Sequence, residues 1–163
     1  MDRAGHIAEE AIDTGLASLA PGALAGSSSP TPTDAVGHVF LLGYPRSGTT
    51  LTEQILATIP NVVSLEEAPT LAAGEKYLSS DGIAALVALN EDEVAALRKN
   101  YWAVVNAAGI DVSGKTFIDM DPLKGAALPL IARLFPDAKI VIMHRDPRDV
   151  VWSCFRRNFV YTP

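Results

Sequence analysis

The chain has 163 residues, 48% hydrophobic and 20% charged, with 13 basic side chains against 19 acidic ones and a formal charge of −6. That composition fits one globular domain or part of a larger one. No apolar run approaches the roughly 18–20 residues of a membrane span, and Asp2, Arg3, Glu9, Glu10 and Asp13 interrupt any secretory apolar core, so a cytoplasmic protein is expected. The single Cys154 excludes an intrachain disulfide and a cysteine-rich metal site, and reads as a small buried hydrophobe in a reducing compartment.

Residues 1–37 are rich in Ala, Gly, Ser, Pro and Thr. Ile7, Ala11, Ile12, Leu16 and Leu19 recur at helical spacing, which predicts a short amphipathic helix able to dock on the core or on a preceding domain. The stretch from Ser27 to Thr33 holds too little apolar surface to order itself and reads as a linker. The folded domain is expected over 38–163.

From Val39 the pattern alternates strands and helices. Val39 to Leu42 is a strand ending at Gly43, and Thr50 to Ile59 places Leu51, Ile55, Leu56 and Ile59 on one helical face. Asn61 to Leu65 is a brief possible strand, and Pro69 to Leu78 and Ile83 to Leu89 are short helices. Asn90 with Glu93 forms a capping pattern for a helix that Gly109 stops. Thr116 to Ile118 is a second core strand, Leu123 to Phe135 a helix, and Lys139 to Met143 a third core strand. Pro147 then opens a final helix. Buried strands joined through helices predict an α/β fold, three-layered, with a parallel central sheet whose ligands sit beyond the carboxyl ends of its strands.

The charge is unevenly spread. Through Asp111 there are 5 basic and 14 acidic residues; from Val112 onward there are 8 and 5, concentrated at Arg133, Lys139, Arg145, Arg148, Arg156 and Arg157. Nucleic acid wants an extended basic face, so a small anionic ligand fits this pattern better. Two loops could receive one. Gly43-Tyr44-Pro45-Arg46-Ser47-Gly48-Thr49-Thr50 has the glycine spacing of a phosphate-binding P-loop, with Thr49 where a nucleoside triphosphatase carries Lys. It aims backbone N–H groups and a helix N-terminus at an anion, with Arg46, Thr49 and Thr50 able to add a charge and two hydroxyls. The second loop, His144 to Asp149, places Arg145 in the same crevice, with Ser153 eight residues on in the following helix. An ion pair of Arg145 with Asp146 or Asp149 is the plainer alternative. Two anion elements at one sheet edge suggest a nucleotide with phosphates at both ends.

Pro45 to Leu51, Arg145 to Ser153 with Cys154-Phe155, and Asn158-Phe159 resemble the sulfotransferase family, specifically its bacterial branch often joined to tetratricopeptide repeats. The resemblance covers roughly residues 38–160. It implies a P-loop-like domain that binds 3′-phosphoadenosine 5′-phosphosulfate without a metal, with Arg46, Ser47, Gly48, Thr49 and Thr50 on the 5′ side and Arg145 and Ser153 on the 3′ side. It also implies a small-molecule, carbohydrate or peptide acceptor, no nucleic acid or membrane partner, and a preceding tetratricopeptide-repeat region or a homo-oligomer.

A Glu after the second strand is the family's proposed base. Its place matches Glu67, 21 residues after Arg46, with Glu66 as the fallback and two solvated cap carboxylates as the plain alternative. Arg46 is the other expected catalytic residue. Relatives commonly carry Asp-Lys before the Pro of the next core strand, whereas this chain reads Asp119-Met120-Asp121-Pro122 and leaves Lys124 as a distant substitute. The family fold also continues beyond Pro163, so the chain is expected to be the N-terminal portion of a longer domain. A small-molecule P-loop kinase using Asp119 or Asp121 as a metal ligand, and a degenerate non-catalytic module, are the competing readings.

Overall fold

The structure, a computed structural model, describes residues 35–79 and 82–157. The expected N-terminal helix and the Ser27–Thr33 linker lie outside the described residues. Four strands form a parallel sheet: β1 (Gly37–Gly43), β2 (Val62–Glu66), β3 (Thr116–Met120) and β4 (Lys139–Met143), in the order β2-β3-β1-β4. Between them lie α1 (Thr49–Leu56), α2 (Gly82–Ala88), α3 (Glu91–Ala107), α4 (Leu128–Leu134) and α5 (Pro147–Arg156), with 3-10 turns at Ala72–Leu78 and Pro122–Ala127. This is the expected α/β class with a parallel sheet and helices. Among the described residues no helix is long and apolar enough to cross a membrane.

Local signals set most boundaries. Glu93 N–H donates to Asn90 Oδ1 at 3.0 Å and Asn90 N–H to Glu93 Oε2 at 2.9 Å, the reciprocal cap that starts α3. Gly109, at φ 77°, ends it. The single helix expected over Leu123–Phe135 is instead a 3-10 turn followed by α4. Pro129 explains the break, because a residue without an N–H is tolerated only in a helix's first turn. α1 stops at Leu56 and closes with a tighter turn before Pro60. The brief strand near Asn61–Leu65 is a full member of the sheet.

The largest correction concerns β4. It reads as a core strand, yet Ile140, Val141 and Ile142 are 40%, 38% and 60% exposed, because β4 pairs only with β1 among the described residues. Leu51, Ile55 and Ile59 of the predicted helical face are likewise exposed, and only Leu56 reaches the core. Cys154 is half-buried rather than buried.

The described chain divides into two compact units. One comprises Thr70–Ala103 and Ala126–Asp137. Its core holds Leu86, Leu130 and Ile131, with Tyr101 edge-on to Trp102 at 5.0 Å and 4.6 Å from Phe135 between ring centroids. The Arg133 guanidinium donates to the Leu89 carbonyl, so this cation is buried with a partner.

The other unit comprises 35–69, Val104–Gly125 and 138–157, and contains the whole sheet. Phe40, Leu41 and Leu42 of β1 and Phe117, Ile118 and Met120 of β3 are buried, each such side chain stabilising the fold by about 2 kcal/mol. Leu41, Ile118 and Met120 cluster, with Val39, Leu56, Val62 and Met143 packed around them. The register pairs Leu41 with Met120, Glu66 with Met120 and Gly43 with Met143, so the four carboxyl ends reach one edge together.

His38, opposite Phe117 in the sheet, lies 4.5 Å from the Phe40 ring and 5.6 Å from the Phe117 ring. Burial, helped by the Lys124 charge, lowers its pKa from 6.5 to about 3. The unfolded chain therefore binds an extra proton between those two values, and stability falls as pH drops through that window. Thermal melts of His38→Gln as a function of pH are expected to show a shallower loss than the parent between pH 6.5 and about 3.

Candidate functional site

The first loop is built around backbone that ordinary residues avoid. Tyr44-Pro45-Arg46-Ser47 forms a turn closed by Ser47 N–H to the Tyr44 carbonyl at 3.0 Å, with Pro second and a left-handed residue third. That third residue is Arg46, at φ 72°, where a turn of this pattern usually takes Gly. Holding a non-glycine residue there costs about 1–2 kcal/mol, the kind of strain found at functional sites. Gly43 is required by space: a Cβ would lie 2.7 Å from Ser47 Oγ and 3.0 Å from the Met143 carbonyl oxygen.

The loop ends on an open helix terminus. Gly48, at φ 103°, precedes α1 and offers no side-chain cap, and the first turn of α1 has no acidic residue. Its first N–H groups therefore lack intrahelical acceptors and carry the positive end of the helix dipole. Ser47 Oγ is buried with no hydrogen-bond partner, and Thr49 beside it is also buried. Unpaired donors converging at a helix N-terminus suit an anion. Thr50 behaves differently, since its hydroxyl donates to Glu66 Oε1 at 3.2 Å.

Glu66 and Glu67 follow β2 at the same edge. Glu67 sits at φ 47°, its N–H donating to the Met120 carbonyl at 2.8 Å, and its side chain is exposed. The next residue, Ala68, accepts 2.8 Å from Lys124 Nζ, which also lies 2.6 Å from the fully buried Asp119 carboxylate. Lys124 is thus committed to holding this segment. Met120, where the family resemblance implied a Lys, is packed in the core.

The second loop is capped by Asp146, whose carboxylate accepts from the Arg148 backbone N–H at 2.9 Å and its guanidinium at 2.7 Å. These bonds hold the Asp146 carboxyl below its usual range. Arg145 is left to the crevice: its Nη1 donates to the Arg46 carbonyl at 3.1 Å, and its Nε stands 3.9 Å from Asp149. Arg46 Nε in turn donates to Ser153 Oγ at 3.2 Å.

Arg46, Arg145 and Ser153 are therefore brought together, whereas Thr50 bonds Glu66 and the Glu67 N–H bonds the end of β3. Arg46, Arg145, Asp149, Trp152, Ser153, Arg156 and Arg157 line a cleft of about 470 Å³. Trp152 was not singled out in the sequence, and Arg156 and Arg157 only as part of a basic cluster. The signal was available, since Asp149, Trp152, Ser153 and Arg156 fall at i, i+3, i+4 and i+7 on one helical face. Among the described residues there is no group of three His, Cys, Asp or Glu side chains able to hold a metal.

Comparison with known proteins decides the family. The profile described as the sulfotransferase family matches residues 38–162. The chain belongs to the sulfotransferase family. It is 33% identical over 129 residues to protein-tyrosine sulfotransferase 1 of Mus musculus, covering 74% of this chain and 34% of that protein. It is 29% identical over 129 residues to protein-tyrosine sulfotransferase 1 of Danio rerio, covering 74% of this chain and 36% of that protein. An uncharacterized protein of Aquifex aeolicus is 29% identical over 133 residues, 74% of this chain and 17% of the relative. The chain thus spans about a third or less of these relatives. In this sulfotransferase-family member, Lys124→Met strips the ammonium from a buried carboxylate and is expected to destabilise the fold by about 3–5 kcal/mol, with Asp119→Asn in the same chain restoring part of the loss in urea melts.

Proposed function

We propose that the protein transfers a sulfuryl group from 3′-phosphoadenosine 5′-phosphosulfate to a hydroxyl or amine acceptor. Arg46 carries this reading, because it joins the open helix terminus of the first loop to the arginine cleft at α5. A ligand with phosphates at both ends would meet both. The unpaired Ser47 hydroxyl and the space kept by Gly43 suit the 5′-phosphosulfate, with the N–H groups of Gly48, Thr49 and Thr50 around it. Arg145 and Ser153, with Arg156 and Arg157 nearby, suit the 3′-phosphate.

In the proposed step the acceptor's proton passes to the Glu67 carboxylate as its oxygen or nitrogen bonds to sulfur. The bond from sulfur to the phosphate oxygen breaks, leaving adenosine 3′,5′-bisphosphate. Glu67 is favoured over Glu66 because its carboxylate is exposed at a strained backbone position, whereas Glu66 is tied to Thr50. Arg46 and the helix dipole stabilise charge on the departing oxygen. The relatives named for protein tyrosine make a tyrosine hydroxyl the first acceptor to test.

A kinase reading is disfavoured by Asp119, which is fully buried beside Lys124, and by Asp121, which accepts the Leu123 N–H at 2.9 Å. Titration calorimetry with adenosine 3′,5′-bisphosphate is expected to show binding that Arg145→Ala weakens about tenfold or more and Ser153→Ala less. Binding of Mg-ATP instead would favour the kinase. Glu67→Gln is expected to leave that affinity unchanged and cut sulfuryl transfer by about a hundredfold or more; turnover unchanged by it would remove Glu67 from the mechanism, and binding without turnover in the parent would favour a degenerate module.

A further inference from the structure

Thr50 is the second residue of α1, at the mouth of the anion loop, and its hydroxyl has one proton to give. That proton goes to Glu66 Oε1 at 3.2 Å. The contact is one of two rungs between helix and strand. Thr50 and Glu53, three residues apart on α1, meet Glu66 and Ser64, two residues apart on β2, and Ser64 donates to Glu53. Strand register therefore holds the Glu66 carboxylate against the loop.

An anion entering the loop needs the same proton. The Thr50 oxygen would otherwise turn a lone pair toward it. Resting on the reading of the loop as an anion site, we propose that Glu66 is a specificity-determining residue that competes with incoming anions for the Thr50 hydroxyl. Only a ligand that makes several other contacts in the loop displaces the carboxylate, so the loop rejects weakly held anions. Glu66 and Glu67 then have separate tasks, one guarding the loop and the other facing the acceptor.

The direction of the effect is diagnostic. Removing a residue that merely braces α1 against β2 loosens the loop and weakens binding, whereas removing a competitor tightens it. Calorimetric titration with inorganic pyrophosphate and with adenosine 3′,5′-bisphosphate is expected to show Glu66→Ala binding both about three- to tenfold more tightly than the parent, the scale of one competing hydrogen bond. The gain is expected to vanish when Thr50→Val is present, so that Thr50→Val and Thr50→Val with Glu66→Ala bind equally. Ser64→Ala, which breaks the neighbouring rung, gives no gain.

Unchanged or weaker binding by Glu66→Ala overturns the proposal. A gain that persists in the Thr50→Val background overturns it too, because that gain is simple charge repulsion. Should Glu66→Ala not fold, Glu66→Gln is expected to give a smaller gain with the same dependence on Thr50, and its absence is equally decisive. Pyrophosphate binding without adenosine 3′,5′-bisphosphate binding defeats the sulfuryl-donor reading and leaves the competition to be judged on pyrophosphate. Binding of neither probe to any variant defeats both.

Discussion

The carboxyl edge of the sheet depends on one buried ion pair. Taking Lys124 and Asp119 out of water together carries a desolvation cost, which close geometry and a further hydrogen-bond acceptor offset. Both are present, since the ammonium reaches the Ala68 carbonyl as well as the carboxylate. Three pieces of chain are fixed at once: the end of β3, the turn that follows it, and the segment leaving β2. That segment contains Glu67, whose left-handed backbone persists only if its flanks are held. Met120 carries no charge, and the nearby lysine serves as a structural clip.

What the sequence revealed follows the range of the interactions involved. β1 carries an apolar run from Val39 to Leu42 and β3 a shorter one at Phe117-Ile118, and the start of α3 is written in two residues that bond each other, so each was legible locally. The exposure of β4 was not, because an edge strand differs from a central one only in having no second neighbour, a property of strand order. Pro129 is legible in the sequence and marks where the 3-10 turn gives way to α4. The first loop announced itself through Gly43, Pro45 and Gly48, whose backbone demands are local.

The contacts that turn two loops into one site were hidden for the opposite reason. Arg46 and Ser153 are 107 residues apart, and no spacing rule joins them. Glu66 and Glu67 look equivalent as neighbours, yet β2 ends at Glu66 and Glu67 turns into left-handed backbone, and only the pairing with α1 shows which one meets Thr50. The acidic average of the whole chain also concealed a cleft with four arginines and one aspartate.

On the proposed function, the clasp formed by Arg46 would make the site sensitive to length as well as charge. Its guanidinium belongs to the first loop and its hydrogen bond reaches Ser153 of α5, so two free anions would have to draw on the same arginine, whereas a single molecule with anions at both ends could use it as the midpoint of its span. On that function, the site would measure a distance and would discriminate between a tethered pair of phosphates and the same groups cut apart.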